Sequence, residues 1–158
     1  MTQQQMKLKN FFFLSILFLF GCKENFEVWK NYNEDYLTTQ TSEYKLNTFD
    51  EGLRYKIIFQ GKGATPKQNS IVKINYSATL CDGTTCTSLD TVDYVYNYPI
   101  GVQNALLRMN RESIWQLCIP YELAYGVSGT KNTYGNYIIP PYSTIFIKRL
   151  ELKEVVNN

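Results

Sequence analysis

The chain has 158 residues, 44% hydrophobic and 15% aromatic, which suits one domain with a real core plus appendages and excludes disorder throughout. Its 16 basic and 14 acidic residues give a formal charge of +2, and removal of Lys7 and Lys9 with a leader would balance the two signs, so nothing electrostatic recommends nucleic acid as a partner. Histidine is absent, which excludes Ser-His-Asp and Cys-His nucleophile chemistry; the expectation is an activity of binding and shape, with no metal and no cofactor.

Lys7 and Lys9 precede an apolar run, Phe11 to Phe20, too short for an ordinary membrane-spanning helix, and it reads as a secretory h-region. It ends in Leu19-Phe20-Gly21-Cys22, which resembles the bacterial lipobox, a small residue before the cysteine that receives diacylglycerol. That resemblance implies a signal peptide over 1–21, lipidation of Cys22 and a lipid-anchored protein of the cell envelope; a cleaved soluble-secretion signal is the alternative. Each acyl methylene contributes ~0.8 kcal/mol, and stable anchoring takes more than one chain. Lys23 lacks the aspartate that resembles an inner-membrane retention signal, which points to the outer membrane with either face open.

Residues 22–49, rich in Asn, Glu, Thr and Tyr without sustained alternation, read as the lipidated cysteine and a tether. Within them Phe26, Trp29, Tyr32 or Asn33, Tyr36 and Leu37 lie at helical spacing, so a short amphipathic helix could pack on the domain or pair with another copy. A monomer is expected.

From Glu51 the pattern turns β-like, and Gly61-Lys62-Gly63-Ala64-Thr65-Pro66 breaks the strand. Next, Val72, Ile74, Tyr76, Ala78 and Leu80 alternate with Lys73, Asn75, Ser77 and Thr79, the period of a strand with one buried face. Asp82-Gly83 supplies a hairpin turn that tolerates positive φ. Val102, Leu106 and Met109 form one helical stripe, and Trp115, Leu117 and Ile119 share a face of a further strand. In the last strand Ile145 and Ile147 share a face, and a β-bulge at Lys148-Arg149 returns Leu150 and Leu152 to it. One helix crossing an antiparallel sheet is an α+β fold.

Several blocks then stand in one order: Ile74-Asn75-Tyr76, Leu80-Cys81-Asp82-Gly83, Ile119-Pro120-Tyr121-Glu122-Leu123-Ala124-Tyr125-Gly126, Ile138-Ile139-Pro140-Pro141 and Ile145-Phe146-Ile147. Together they resemble the FK506-binding-protein (FKBP) family of peptidyl-prolyl isomerases over residues 50–156. The resemblance implies a twisted antiparallel sheet wrapped around one short helix and proline-containing polypeptides as substrates. It implies Tyr76 in the pocket wall, the Tyr125 hydroxyl on the substrate backbone, and Ile139 and Ile147 against the prolyl ring. Ile138 and Ile100 belong to the same binding surface by that resemblance.

This chain departs from the family pattern at several positions. Cys86-Thr87 stands where the family usually has Phe-Asp, and Val102 where it usually has the floor tryptophan. Near Tyr98-Pro99-Ile100 a backbone amide normally binds the substrate carbonyl; with Pro99 there the donor is absent, and with Ile100 there it is kept. Tyr134 and Tyr137 in the longer loop could rebuild an aromatic wall or serve as a recognition surface. With Asp82-Gly83 at the turn centre, Cys86 falls opposite Thr79 and Cys81 diagonally from it, which makes a Cys81–Cys86 disulfide possible in an oxidising compartment, with two free thiols as the alternative. The leading reading is a membrane-anchored prolyl isomerase for exported or envelope proteins. The alternatives are a weakly catalytic binding module or chaperone, and an accessory lipoprotein of an envelope machine, since some gliding-motility lipoproteins resemble this domain.

Overall fold

The computed structural model describes residues 26–156, so the leader with Lys7 and Lys9 and the expected lipidation residue Cys22 lie outside the described residues. Helix α1 (Glu27–Glu43) comes first, then β1 (Asn47–Thr48), β2 (Arg54–Phe59), β3 (Ile71–Thr79) and β4 (Thr85–Tyr94). Helix α2 (Ile100–Leu106), β5 (Ile114–Ile119), β6 (Thr130–Lys131), β7 (Tyr137–Ile139) and β8 (Ile145–Val155) complete the order. Six strands form an antiparallel sheet in the order β1-β2-β5-β8-β3-β4, and β6 and β7 pair in a separate small hairpin. The α+β architecture is the one the residue pattern implies.

The inner face of the sheet is built by period-two alternation. Val72, Ile74, Tyr76 and Ala78 of β3, Trp115, Leu117 and Ile119 of β5, and Ile145, Ile147, Leu150 and Leu152 of β8 are all buried in one core. Helix α2 closes that core with Val102, Ala105 and Leu106. Large side chains buried this way contribute roughly 1.5–3 kcal/mol each. The continuity of β8 depends on its bulge: Ile147 pairs with Ala78 and Leu117 while Leu150 pairs with Tyr76 and Trp115, so Lys148 and Arg149 together face one residue on each neighbouring strand. The bulge at Lys148-Arg149 expected from the alternation is present, and both of its side chains stay exposed.

Residues 27–43, read as a tether that could hold a short amphipathic helix, form a helix of 17 residues docked on the domain. Tyr36, Leu37 and Tyr44 pack against Leu46, Cys118 and Phe146 on the outer face of the sheet. Asn33, fully buried, fastens the helix to the start of β8: its Oδ1 accepts the Thr144 N–H at 2.7 Å, and its carbonyl accepts the Thr144 hydroxyl at 3.2 Å. Trp29 Nε1 donates to Ser143 Oγ at 3.1 Å, and that hydroxyl donates to the Pro140 carbonyl at 2.8 Å. Composition hides the anchor point because Asn33 is polar and its partner Thr144 lies 111 positions away.

The Cys81–Cys86 disulfide is a correction. Both cysteines are free thiols, as is Cys118. Thr79 pairs with Thr85 and Ala78 with Thr87, which makes Cys86 an extra residue in a bulge, not the partner of Thr79. The bulge turns Cys86 inward, where its Sγ donates to the Ala78 carbonyl at 3.4 Å and packs on the core. Cys81 lies against Asn33 and Tyr36 of α1, on the outer face. The two sulfurs therefore face opposite sides of the sheet.

Candidate functional site

On the inner face, Tyr76, Ala78, Ile119, Ile145 and Ile147 of the sheet and Val102 of α2 line a small apolar cavity capped by Pro99, Ala124 and Tyr125. Its volume is about 10 Å³, room for about one water molecule. A wider groove of about 500 Å³ opens from it, sharing Tyr76, Pro99, Ala124 and Tyr125. The groove runs along Thr87, Leu89, Thr91 and Asp93 of β4, with Asn97 and Tyr98 across from them.

Each tyrosine is held differently. Tyr76 sits mid-strand opposite Leu89, only 3% exposed, and burial, with the Tyr125 and Tyr98 hydroxyls adding, lifts its ionisation well above the ordinary phenol range. Tyr125 follows the short helical turn Tyr121–Leu123 and precedes Gly126, whose φ of 65° lets the chain reverse; the Gly126 N–H donates to the Tyr121 carbonyl at 2.8 Å. Burial raises the Tyr125 ionisation, and a side-chain hydrogen bond with Thr87 opposes it. Tyr98 is pushed up to about 12 by burial and by the nearby Asp93 carboxylate. Its buried hydroxyl has no hydrogen-bond partner among the described residues. All three phenols stay protonated near neutral pH.

Val102, Ile147, Tyr76 and Tyr125 meet at the cavity, and Thr87 joins them at the groove. Cys86 packs beside Tyr76 and Tyr125, its thiol raised by burial and opposed by a hydrogen bond with Thr87. Ile139 is 2% exposed in the core, outside the lining of either space, and Ile138 is half exposed. Ile100 does not reach the groove either: it is 54% exposed at the start of α2, while Pro99, which has no N–H, lines both spaces. Tyr134 is exposed, and Tyr137 packs edge-on against Phe26 with centroids 5.4 Å apart, so neither rebuilds the aromatic wall.

Reasoning from sequence missed Leu89, Thr91, Asp93, Asn97 and Tyr98. Thr87, Leu89, Thr91 and Asp93 do share one face at a period of two, a signal legible once the bulge at Cys86 is placed. Among the described residues no group of three or more His, Cys, Asp or Glu side chains is arranged to hold a metal ion.

The family described as FKBP-type peptidyl-prolyl cis-trans isomerase matches residues 62–148, more than half of the chain. The chain belongs to that family. Among curated relatives, the FKBP-type 22 kDa peptidyl-prolyl cis-trans isomerase of Escherichia coli is 31% identical over 85% of this chain and 65% of its own length. The outer membrane protein MIP of Legionella longbeachae is 32% identical over 58% of this chain and 41% of its own length. This FKBP-type chain thus spans less than two thirds of the curated relatives it matches. Among solved structures, FkpA from Escherichia coli superposes with a TM-score of 0.74 at 25% identity, over 98% of this chain and 73% of that one. A peptidyl-prolyl isomerase from Pseudomonas syringae shows the same fold, with a TM-score of 0.74 at 21% identity over 87% of this chain and all of that one.

Proposed function

We propose that this FKBP-type domain accelerates cis–trans isomerisation of Xaa-Pro bonds in exported polypeptides from a lipid-anchored position in the cell envelope. Rotation about a peptide bond meets a barrier of ~18–20 kcal/mol because resonance stiffens the C–N bond. Xaa-Pro bonds interconvert over roughly tens to hundreds of seconds. Resonance is lost in the twisted state, so the amide is less dipolar there, and an apolar site favours it over the planar form. The observation that carries the reading is the apolar cavity of Tyr76, Val102 and Ile147 opening to a groove rimmed by protonated phenols. Because Pro99 offers no N–H, the donor for a substrate carbonyl is the Tyr125 hydroxyl, which borders both the cavity and the groove. The floor has space for about one water, so a prolyl ring seats at the groove's inner end over Tyr76 and presses the cap of Pro99, Ala124 and Tyr125 outward.

The test is exchange NMR of cis and trans Xaa-Pro populations in tetrapeptides, using the full chain. Wild type should accelerate exchange, and Tyr125→Phe should lower kcat/KM by roughly two- to tenfold, the equivalent of one hydrogen bond. Binding of the peptides without acceleration would replace this reading with a proline-binding module, which the filled cavity and the missing Pro99 amide favour. The anchor rests on Leu19-Phe20-Gly21-Cys22 after a basic and apolar leader, with a relative named as an outer membrane protein. Mass spectrometry should find acylated Cys22 at the mature amino terminus, and an unmodified protein recovered wholly in the soluble fraction would reject it. A monomer is favoured because the stripe of α1 that bears Trp29, Asn33, Tyr36 and Leu37 is engaged by its own domain.

A further inference from the structure

The outer face of the sheet, opposite the proline groove, carries a second cavity of about 510 Å³. That lies within the ~300–1,000 Å³ typical of ligand pockets. Ile58, Ile114 and Tyr44 wall it, Gln116 and Ser77 lie along its base, and the β8 bulge forms its rim. In a regular strand only one of two consecutive residues faces outward; the bulge leaves both Lys148 and Arg149 exposed over the same cavity.

Positive charge is in excess there. Arg149 Nη2 lies 3.4 Å from Glu151 Oε2, a partly exposed contact, but Lys148 makes no ion pair among the described residues. Lys56, opposite Gln116 in the ladder, donates to the Tyr44 carbonyl at 3.1 Å and adds a cation without a carboxylate. Gln116 is itself 4% exposed, and its buried Nε2 has no acceptor among the described residues. A buried amide donor without an acceptor is destabilising, so an arriving anionic oxygen satisfies it.

We propose that this cavity is a second peptide-binding site that takes an acidic, hydrophobic polypeptide segment. One carboxylate sits among Lys148, Arg149 and the Gln116 amide, and a flanking aliphatic side chain packs on Ile58 and Ile114. The space is far larger than a lone carboxylate and its walls are aliphatic, which selects a chain bearing side chains over a simple anion. The site lies on the opposite face from the isomerase groove and is independent of the activity proposed above.

The test is fluorescence anisotropy of C-terminally amidated Val-Glu-Ile-Glu-Val, which lacks proline and carries an uncharged BODIPY label, on the full chain in non-ionic detergent, with amidated and equally labelled Val-Gln-Ile-Gln-Val as control. The acidic peptide should bind saturably, and the neutral one about tenfold more weakly, the scale of one charge-assisted hydrogen bond. The exposed double variant K148Q/R149Q should weaken the acidic peptide by about tenfold or more while leaving Xaa-Pro exchange rates unchanged. Equal binding of the two peptides, unchanged binding by K148Q/R149Q, or no saturable binding would overturn the proposal. So would binding to phosphatidylglycerol vesicles without binding to the peptide.

Discussion

Asn33→Ala isolates the contribution of α1 to the domain. Asn33 has no exposure, and its side chain bonds from Nδ2 to the Trp29 carbonyl at 2.8 Å, accepts the Thr144 N–H on Oδ1 at 2.7 Å and meets the Cys81 thiol. Thr144 is 1% exposed, so the truncation leaves its N–H buried without an acceptor, at about 1–3 kcal/mol. Losing the bond to Trp29 adds about 0.5–1.5 kcal/mol, and the better helix propensity of alanine returns about 0.5 kcal/mol. The net expectation is a loss of about 1–4 kcal/mol in urea unfolding and a Tm lower by roughly 3–15 °C. Thr144 leads directly into Ile145 of the cavity, so kcat/KM in the exchange assay should fall as well. A variant within about 0.5 kcal/mol of wild type, the range of an ordinary surface substitution, would refute the reasoning and return α1 to the status of a tether.

Gly101→Ala should destabilise the fold by about 1–3 kcal/mol and lower turnover, because a Cβ there would lie 2.3 Å from Ile119 Cγ2, on a residue that lines the cavity; unchanged melting would show that Ile119 can yield. Burial lifts the Cys118 thiol from 9.0 to about 12, with Arg54 opposing, so the fold favours its protonated form. That stabilisation is complete below pH 9.0 and is lost as the pH rises through about 12, at about 1.4 kcal/mol per pH unit in between; urea unfolding across this window should show a slope that Cys118→Ala reduces by one proton. Dithiothreitol should leave the Tm of the oxidised preparation unchanged, since Cys81, Cys86 and Cys118 are all free thiols; a reductant-sensitive Tm with a Cys81–Cys86 link in non-reducing peptide mapping would refute this.

The core was legible in the sequence because each of its constraints is local. In β3 and β5 alternation alone assigns Tyr76, Trp115, Leu117 and Ile119 to the inner face, and two consecutive cations before Leu150 mark the β8 bulge, since a charge cannot be buried unpaired. What the tertiary structure decided are matters of register and long-range pairing. One extra residue at Cys86 separates two cysteines that a symmetric hairpin would have brought together. Pro99 and Ile100 are adjacent in the chain, but the start of α2 turns Pro99 to the groove and Ile100 to solvent. Helical spacing placed Tyr32 or Asn33 on the stripe of a helix free to pack on the domain or on another copy, and only Thr144, 111 positions away, decides for Asn33 and for the domain. Local patterns report which face a residue prefers, whereas a site is made by which faces meet, and that depends on contacts no window of sequence contains.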